Sequence, residues 1–189
     1  MRWLLVALAM IALCRSASAA EVVALGASNT AGRGYGRYSG GVDPDQAFPA
    51  QLERILRAQN CSVSVLNAGL AGDTTSGLFQ RLPGAVSADT KVLIFETPIS
   101  NDRAKGLSHT GQNRVAILAF AKAHGLTAIS LSPLLPGIAG AEHRDPDGQH
   151  FDAVGHLNIA KSLAACRTEL SAIKLRCRFS RLRLGSIAI

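Results

Sequence analysis

The sequence predicts an α/β protein built on a parallel sheet with helices on both faces. Short apolar runs alternate with helix-period segments along the whole body, and no internal repeat or long linker interrupts the series. The strand-like runs are Val22 to Leu25, Val63 to Leu66, Val92 to Glu96 and Thr127 to Leu131. Between them lie helix-like stretches at Gln46 to Gln59, Thr74 to Leu82 and Gln112 to His124, and Ala153 to Leu163 closes the series. Runs of four or five apolar residues suit strands buried on both faces. The longer segments repeat their apolar residues at three- and four-residue intervals, as a helix with one buried stripe does.

The first nineteen residues stand apart. Arg2, the apolar run Trp3 to Leu13 and the small residues Ala17-Ser18-Ala19 have the pattern of a secretory signal peptide, with cleavage expected between Ala19 and Ala20. The apolar run is too short to span a bilayer. Export, to a periplasm or beyond the cell, is therefore expected for a body spanning 20–166, followed by a basic tail at 167–189.

The net charge of +7 is a property of the ends. Residues 16–166 carry 12 Lys/Arg against 12 Asp/Glu, whereas 167–189 carry six basic residues and one Glu. A neutral body with few aromatics gives no basis for nucleic-acid binding. In the tail, Leu175, Phe179 and Leu182 fall at helical spacing among Arg176, Arg178, Arg181 and Arg183, so weak contact with a membrane surface is expected there at most. Cleavage leaves Cys61, Cys166 and Cys177, an odd number for an oxidising compartment.

In an open parallel sheet, ligands sit at the carboxyl ends of the strands. The loops leaving those ends read "GASNTAGRGYG", "NAGLAGDTT", "TPISND" and "SPLLPGIAGAEHRDPDGQH". Three of them place Gly beside Ser, Asn or Asp, which supplies backbone N–H donors and short polar side chains around one edge. A serine nucleophile needs a base, a carboxylate that orients the base, and donors where the oxyanion develops. Ser28 follows the first strand, and Asp147 and His150 lie three residues apart before the last helix, a spacing that lets one turn present both.

In these blocks the chain resembles the SGNH (GDSL-type) hydrolases, and most closely their small single-domain thioesterase and lysophospholipase subgroup. Gly26-Ala27-Ser28-Asn29 stands where the family has Gly-Asp-Ser-Leu, Gly72 at its second-block glycine, Asn101 at its third-block asparagine, and Asp147 through His150 at its Asp-x-x-His block. The resemblance implies a three-layer α/β/α sandwich with a flavodoxin-like parallel sheet. It also implies a triad of Ser28 as nucleophile, His150 as base then acid, and Asp147 as orienter, with an oxyanion hole of the Ser28 and Gly72 N–H groups and the Asn101 amide. The activity expected is that of a monomeric serine esterase acting on a small-molecule acyl ester or thioester, with no metal or organic cofactor. In the implied topology the first and last helices lie side by side, which places Cys61 and Cys166 near one another and suggests a disulfide between them.

Two positions depart from the pattern. Ala27 replaces the family's aspartate, so the hydrogen bonds of that carboxylate must come from elsewhere, and Ile99 stands where a glycine is usual before Asn101. Asp73 reads as a helix N-cap, Asp102 as an Asx-turn residue, and His109, His124 and His156 as surface or internally satisfied histidines. The apolar "PLLPGIAGA" reads as an acyl-tolerant wall, and the loops Arg33 to Ala47, Pro98 to His109 and Pro133 to Arg144 as the determinants of substrate size. Three other readings carry less. The glycines after the first strand miss the dinucleotide fingerprint, which wants Gly where Ser28 stands. "EHRDPDGQHFDAVGH" collects acids and histidines without a zinc-helix spacing. A binding module with a decayed site would keep the fold and lose the chemistry.

Overall fold

A computed structural model of the chain describes residues 20–59, 61–132 and 135–166; the expected signal peptide and basic tail lie outside them. Strands β1 (Val22–Gly26), β4 (Val65–Gly69), β5 (Val92–Phe95) and β6 (Thr127–Ser130) form one sheet in the order β4-β1-β5-β6. Every pairing in it is parallel, with Val22 opposite Val65 on one side and Val92 on the other. The two central strands, VVALG and VLIF, are buried throughout, the burial expected of parallel strands covered on both faces.

Alternate residues of these strands feed two cores. Val22, Ala24, Val92 and Ile94 pack against α2 (Phe48–Ala58) and α7 (Ala153–Ala165), through Phe48, Leu52, Leu56, Ile159, Ala160 and Leu163. Val23, Leu25, Leu93 and Phe95 pack against α3 (Thr75–Ala85) and α5 (Thr110–Ala123), through Leu78, Leu82, Ile117 and Ala121. The result is the three-layer α/β/α sandwich that the alternation and the resemblance led one to expect.

Several local features were not expected. A short helix α1 (Ser28–Ala31) follows β1 directly. An antiparallel hairpin, β2 (Arg33–Tyr35) with β3 (Tyr38–Gly41), comes next, and two further short helices, α4 (Ile99–Ala104) and α6 (Leu135–Ala139), stand in loops. Strand β4 begins two residues later than the apolar run Val63 to Leu66 suggests. The N-cap of α3 is Thr74, whose hydroxyl accepts from Gly77 N at 3.1 Å; Asp73 sits one residue earlier. Within the "PLLPGIAGA" segment expected to form a wall of the site, Leu135 and Ala139 are instead buried in the core beside α7. Cys61 is disulfide-bonded, but not to Cys166, whose Sγ donates to the Ser162 carbonyl at 3.3 Å within the last turn of its own helix. Of the histidines, His156 is fully buried and stacks on Phe48.

His156 also joins two helices, since its Nδ1 accepts the Phe48 N–H at the start of α2, 3.3 Å away. Burial, assisted by the nearby charge of His150 and opposed by Asp152, pushes its pKa down from 6.5 to about 4. In the folded protein the ring therefore stays neutral between these values while the unfolded chain takes up a proton. The stability present above pH 6.5 should fall by about 3 kcal/mol as the pH drops towards 4. Urea unfolding across that range checks this: a His156→Gln variant should lose this component of the pH dependence.

Candidate active site

The carboxyl ends of β1, β4 and β5 and the loop before α7 converge on a cavity of about 320 Å³ lined by Ser28, Gly72, Asn101 and His150. Ser28 is the first residue of α1, whose closing turn is marked by Gly32 N donating to the Ser28 carbonyl at 2.8 Å. Gly72 lies in the turn after β4 with φ +75°, a left-handed conformation that favours glycine. Asn101 sits in the first turn of α4. Its Nδ2 donates to the Asp73 carbonyl at 2.8 Å, which leaves the amide a second N–H. Ile99, despite replacing a glycine, opens this helix as an exposed residue and leaves Asn101 on the cavity.

His150 and Asp147 form a tight pair. His150 Nδ1 and Asp147 Oδ2 are 2.6 Å apart, and Asp147 Oδ1 accepts the backbone N–H groups of Gln149 and His150 at 2.8 and 3.0 Å. Burial works to raise the Asp147 pKa, but the hydrogen bonds from His150 and Gln149 and the charge of His150 outweigh it and hold the carboxyl at about 2. An ionised Asp147 keeps the imidazole proton on Nδ1 and leaves the Nε2 lone pair to act as a base. His150 is itself only 3% exposed.

The unexpected hairpin supplies one side of the site. Gly40 N donates to Asp147 Oδ2 and Gly41 N to Asp145 Oδ2, each at 3.1 Å, so β3 is clamped to the loop that carries His150. At its turn Tyr35, Arg37 and Tyr38 line the cavity, with the Arg37 guanidinium 4.8 Å over the Tyr38 ring. Pro98, Ala104 and Lys105 line it from the α4 side, and Lys105 Nζ donates to the Gly72 carbonyl at 3.0 Å. Residues of two loops expected to set substrate size, Arg33 to Ala47 and Pro98 to His109, thus line the cavity.

Three supporting side chains escaped the sequence reading. Arg81 reaches Asp73 Oδ2, the Ala68 carbonyl and the Gly26 carbonyl, all within 2.7 Å, and so ties the Gly72 turn to the end of β1. Asp102 forms no surface Asx turn. It is buried, and it accepts from Thr75 N and Oγ1 and from Thr110 Oγ1, joining the starts of α3 and α5. Glu96, at the end of β5, is buried beneath α1 and lines the cavity. A charged residue closing the apolar run "VLIFE" was the available signal for it. The acids and histidines of "EHRDPDGQHFDAVGH" separate into distinct bonds: His143 with Asp152, His150 with Asp147, and His156 with Phe48 N.

No protein-family model matches the chain. It is 27% identical over 149 residues to Esterase TesA of Pseudomonas aeruginosa PAO1, a match spanning 78% of this chain and 71% of that protein. Among solved structures it is similar to TesA (TM-score 0.64, 19% identity, 80% of this chain and 98% of that one). It is similar also to a G-D-S-L family protein from Desulfitobacterium hafniense DCB-2 (TM-score 0.58, 16% identity, 76% and 97%). The resemblance carried by the sequence blocks is thus matched by similarity in sequence to a named esterase and in fold to a G-D-S-L family structure, and the named esterases among these relatives support a serine ester hydrolase.

The backbone of Gly34 packs directly on the His150 ring, and a methyl group there would lie 2.8 Å from Nε2 as well as against the Tyr38 carbonyl. Gly34→Ala should displace the imidazole and lower the hydrolysis rate of an aryl ester by about a hundredfold, with the far-UV circular dichroism of the parent retained.

Proposed function

We propose that this protein is an exported serine esterase that cleaves carboxylic ester or thioester bonds in two steps through an acyl-enzyme on Ser28. The observation that carries this reading is the buried Asp147–His150 pair opening onto the same cavity as Ser28, Gly72 and Asn101. Ser28 Oγ attacks the substrate carbonyl as His150 Nε2 takes its proton. The oxyanion is met by the Ser28 and Gly72 N–H groups and the Asn101 amide. Collapse expels the alcohol or thiol, which receives the proton from His150. Water, activated by the same nitrogen, then releases the acid and returns Ser28 to its starting state. Asp147 keeps its charge throughout and holds the ring.

These steps use only the chain's own groups. The cavity of about 320 Å³ is at the small end of ligand sites, about 300 to 1,000 Å³, which favours a short acyl group. Export rests on the Arg2 to Ala19 pattern. We take the acting form to be a monomer with a small-molecule acyl ester as substrate, any membrane contact being confined to the tail.

Fluorophosphonate labelling of the purified mature protein, read by intact mass, tests the reading. One adduct per chain is expected, abolished by Ser28→Ala and weakened by His150→Ala; a folded protein that takes no label would instead support the binding-module alternative. In steady-state kinetics, Asn101→Ala should lower kcat by about a hundredfold or more, the loss of one oxyanion donor.

A further inference from the structure

Glu96 is only 5% exposed, and acids are rarely buried to this extent unless hydrogen bonds replace their water. Its bonds all go to one place. Oε2 accepts Ala27 N at 2.9 Å, Thr30 N at 3.2 Å and Thr30 Oγ1 at 2.9 Å, while Oε1 faces Asn29 Nδ2 at 3.4 Å. These donors bracket Ser28 on both sides. The carboxylate is delivered from another strand: Glu96 N donates to the Leu25 carbonyl at 2.9 Å, extending the β5–β1 ladder by one residue and setting the side chain under the turn. Gly26 leaves room for it, since a Cβ there would lie 2.7 Å from Oε2. Ala27 offers no polar side chain of its own.

From this geometry, and resting on the esterase reading above, we infer that Glu96 is the positioning residue of the nucleophile: it fixes the first turn of α1 and thereby aims the Ser28 hydroxyl and N–H. A negative charge beside the cavity would oppose a developing oxyanion, so the contribution of Glu96 is geometric. An uncharged acceptor at the same place should supply much of it. Ground-state binding, made by the hairpin and α4, is not its task.

The test compares wild type, Glu96→Ala, Glu96→Gln and Thr30→Val in the rate of Ser28 phosphonylation by a fluorophosphonate and in kcat and KM for a p-nitrophenyl ester. Glu96→Ala should lose about a hundredfold in kcat and in phosphonylation rate with KM within about twofold. Glu96→Gln should recover at least about tenfold of that loss through its amide oxygen. Thr30→Val, which deletes a single hydrogen bond, should cost about fivefold in kcat. Wild-type rates in a folded Glu96→Ala, or in Thr30→Val should the alanine variant not fold, would overturn the inference while leaving the esterase intact. A Glu96→Gln no faster than a folded Glu96→Ala would overturn the geometric account. A wild-type protein that takes no label overturns the esterase reading, and this inference with it.

Discussion

Parallel strands deliver their loops to one edge, where backbone N–H groups leave the sheet without ladder partners and need acceptors. Here acidic side chains accept them. Glu96 takes the N–H groups of Ala27 and Thr30, Asp102 that of Thr75, and Asp147 those of Gly40, Gln149 and His150. Asp73 takes Thr74 N and, through Arg81, anchors the Gly72 turn to the strand ends. Charge-assisted bonds to a carboxylate are roughly twice as strong as neutral ones, and a partly buried carboxylate meets little competition from water. Each loop of the site is tied by an acid, from another strand for the Ser28 turn and from within the same loop for the Gly72 and His150 turns.

This explains how a site made of short turns keeps its shape. The helix carrying Ser28 has four residues, too few to be stable alone, and the sheet beside it supplies the missing constraint. Asn101 is held likewise, its amide spent in part on the Asp73 carbonyl while its own helix carries Asp102 into the core. The proposed nucleophile, base and oxyanion donors stand on separate pieces of chain, and the carboxylates are what convert the pieces into one geometry.

Much of this was legible in the residues. The apolar runs of β1 and β5 are buried on both faces and read as such, and the order of Ser28, Gly72, Asn101 and Asp147 to His150 pointed to one edge. Tertiary contacts hid the rest. The hairpin strands, RGY and YSGG, show no apolar alternation, because their anchoring comes from Asp145 and Asp147 more than a hundred residues away. Asp102 sits in a polar stretch that looks like a surface turn, and only the approach of Thr75 and Thr110 makes it internal. "PLLPGIAGA" is as apolar as a lipid-facing wall would be, yet apolarity does not say whether a segment faces a ligand or a helix. The pairing of Cys61 was not legible either, because the spacing of cysteines along the chain does not fix their connectivity.

The clamp between β3 and the loop before α7 has a consequence for how such a site can change. Asp147 Oδ2 serves both the imidazole and the Gly40 N–H, so the root of the hairpin and the proposed base share one atom. The aromatic and cationic side chains on the cavity, Tyr35, Arg37 and Tyr38, sit at the far end, around the turn. Variation at the tip can alter what is recognised without touching the shared oxygen, whereas variation at the root must change recognition and reactivity together. The hairpin is thus an exchangeable cassette on an immovable mount.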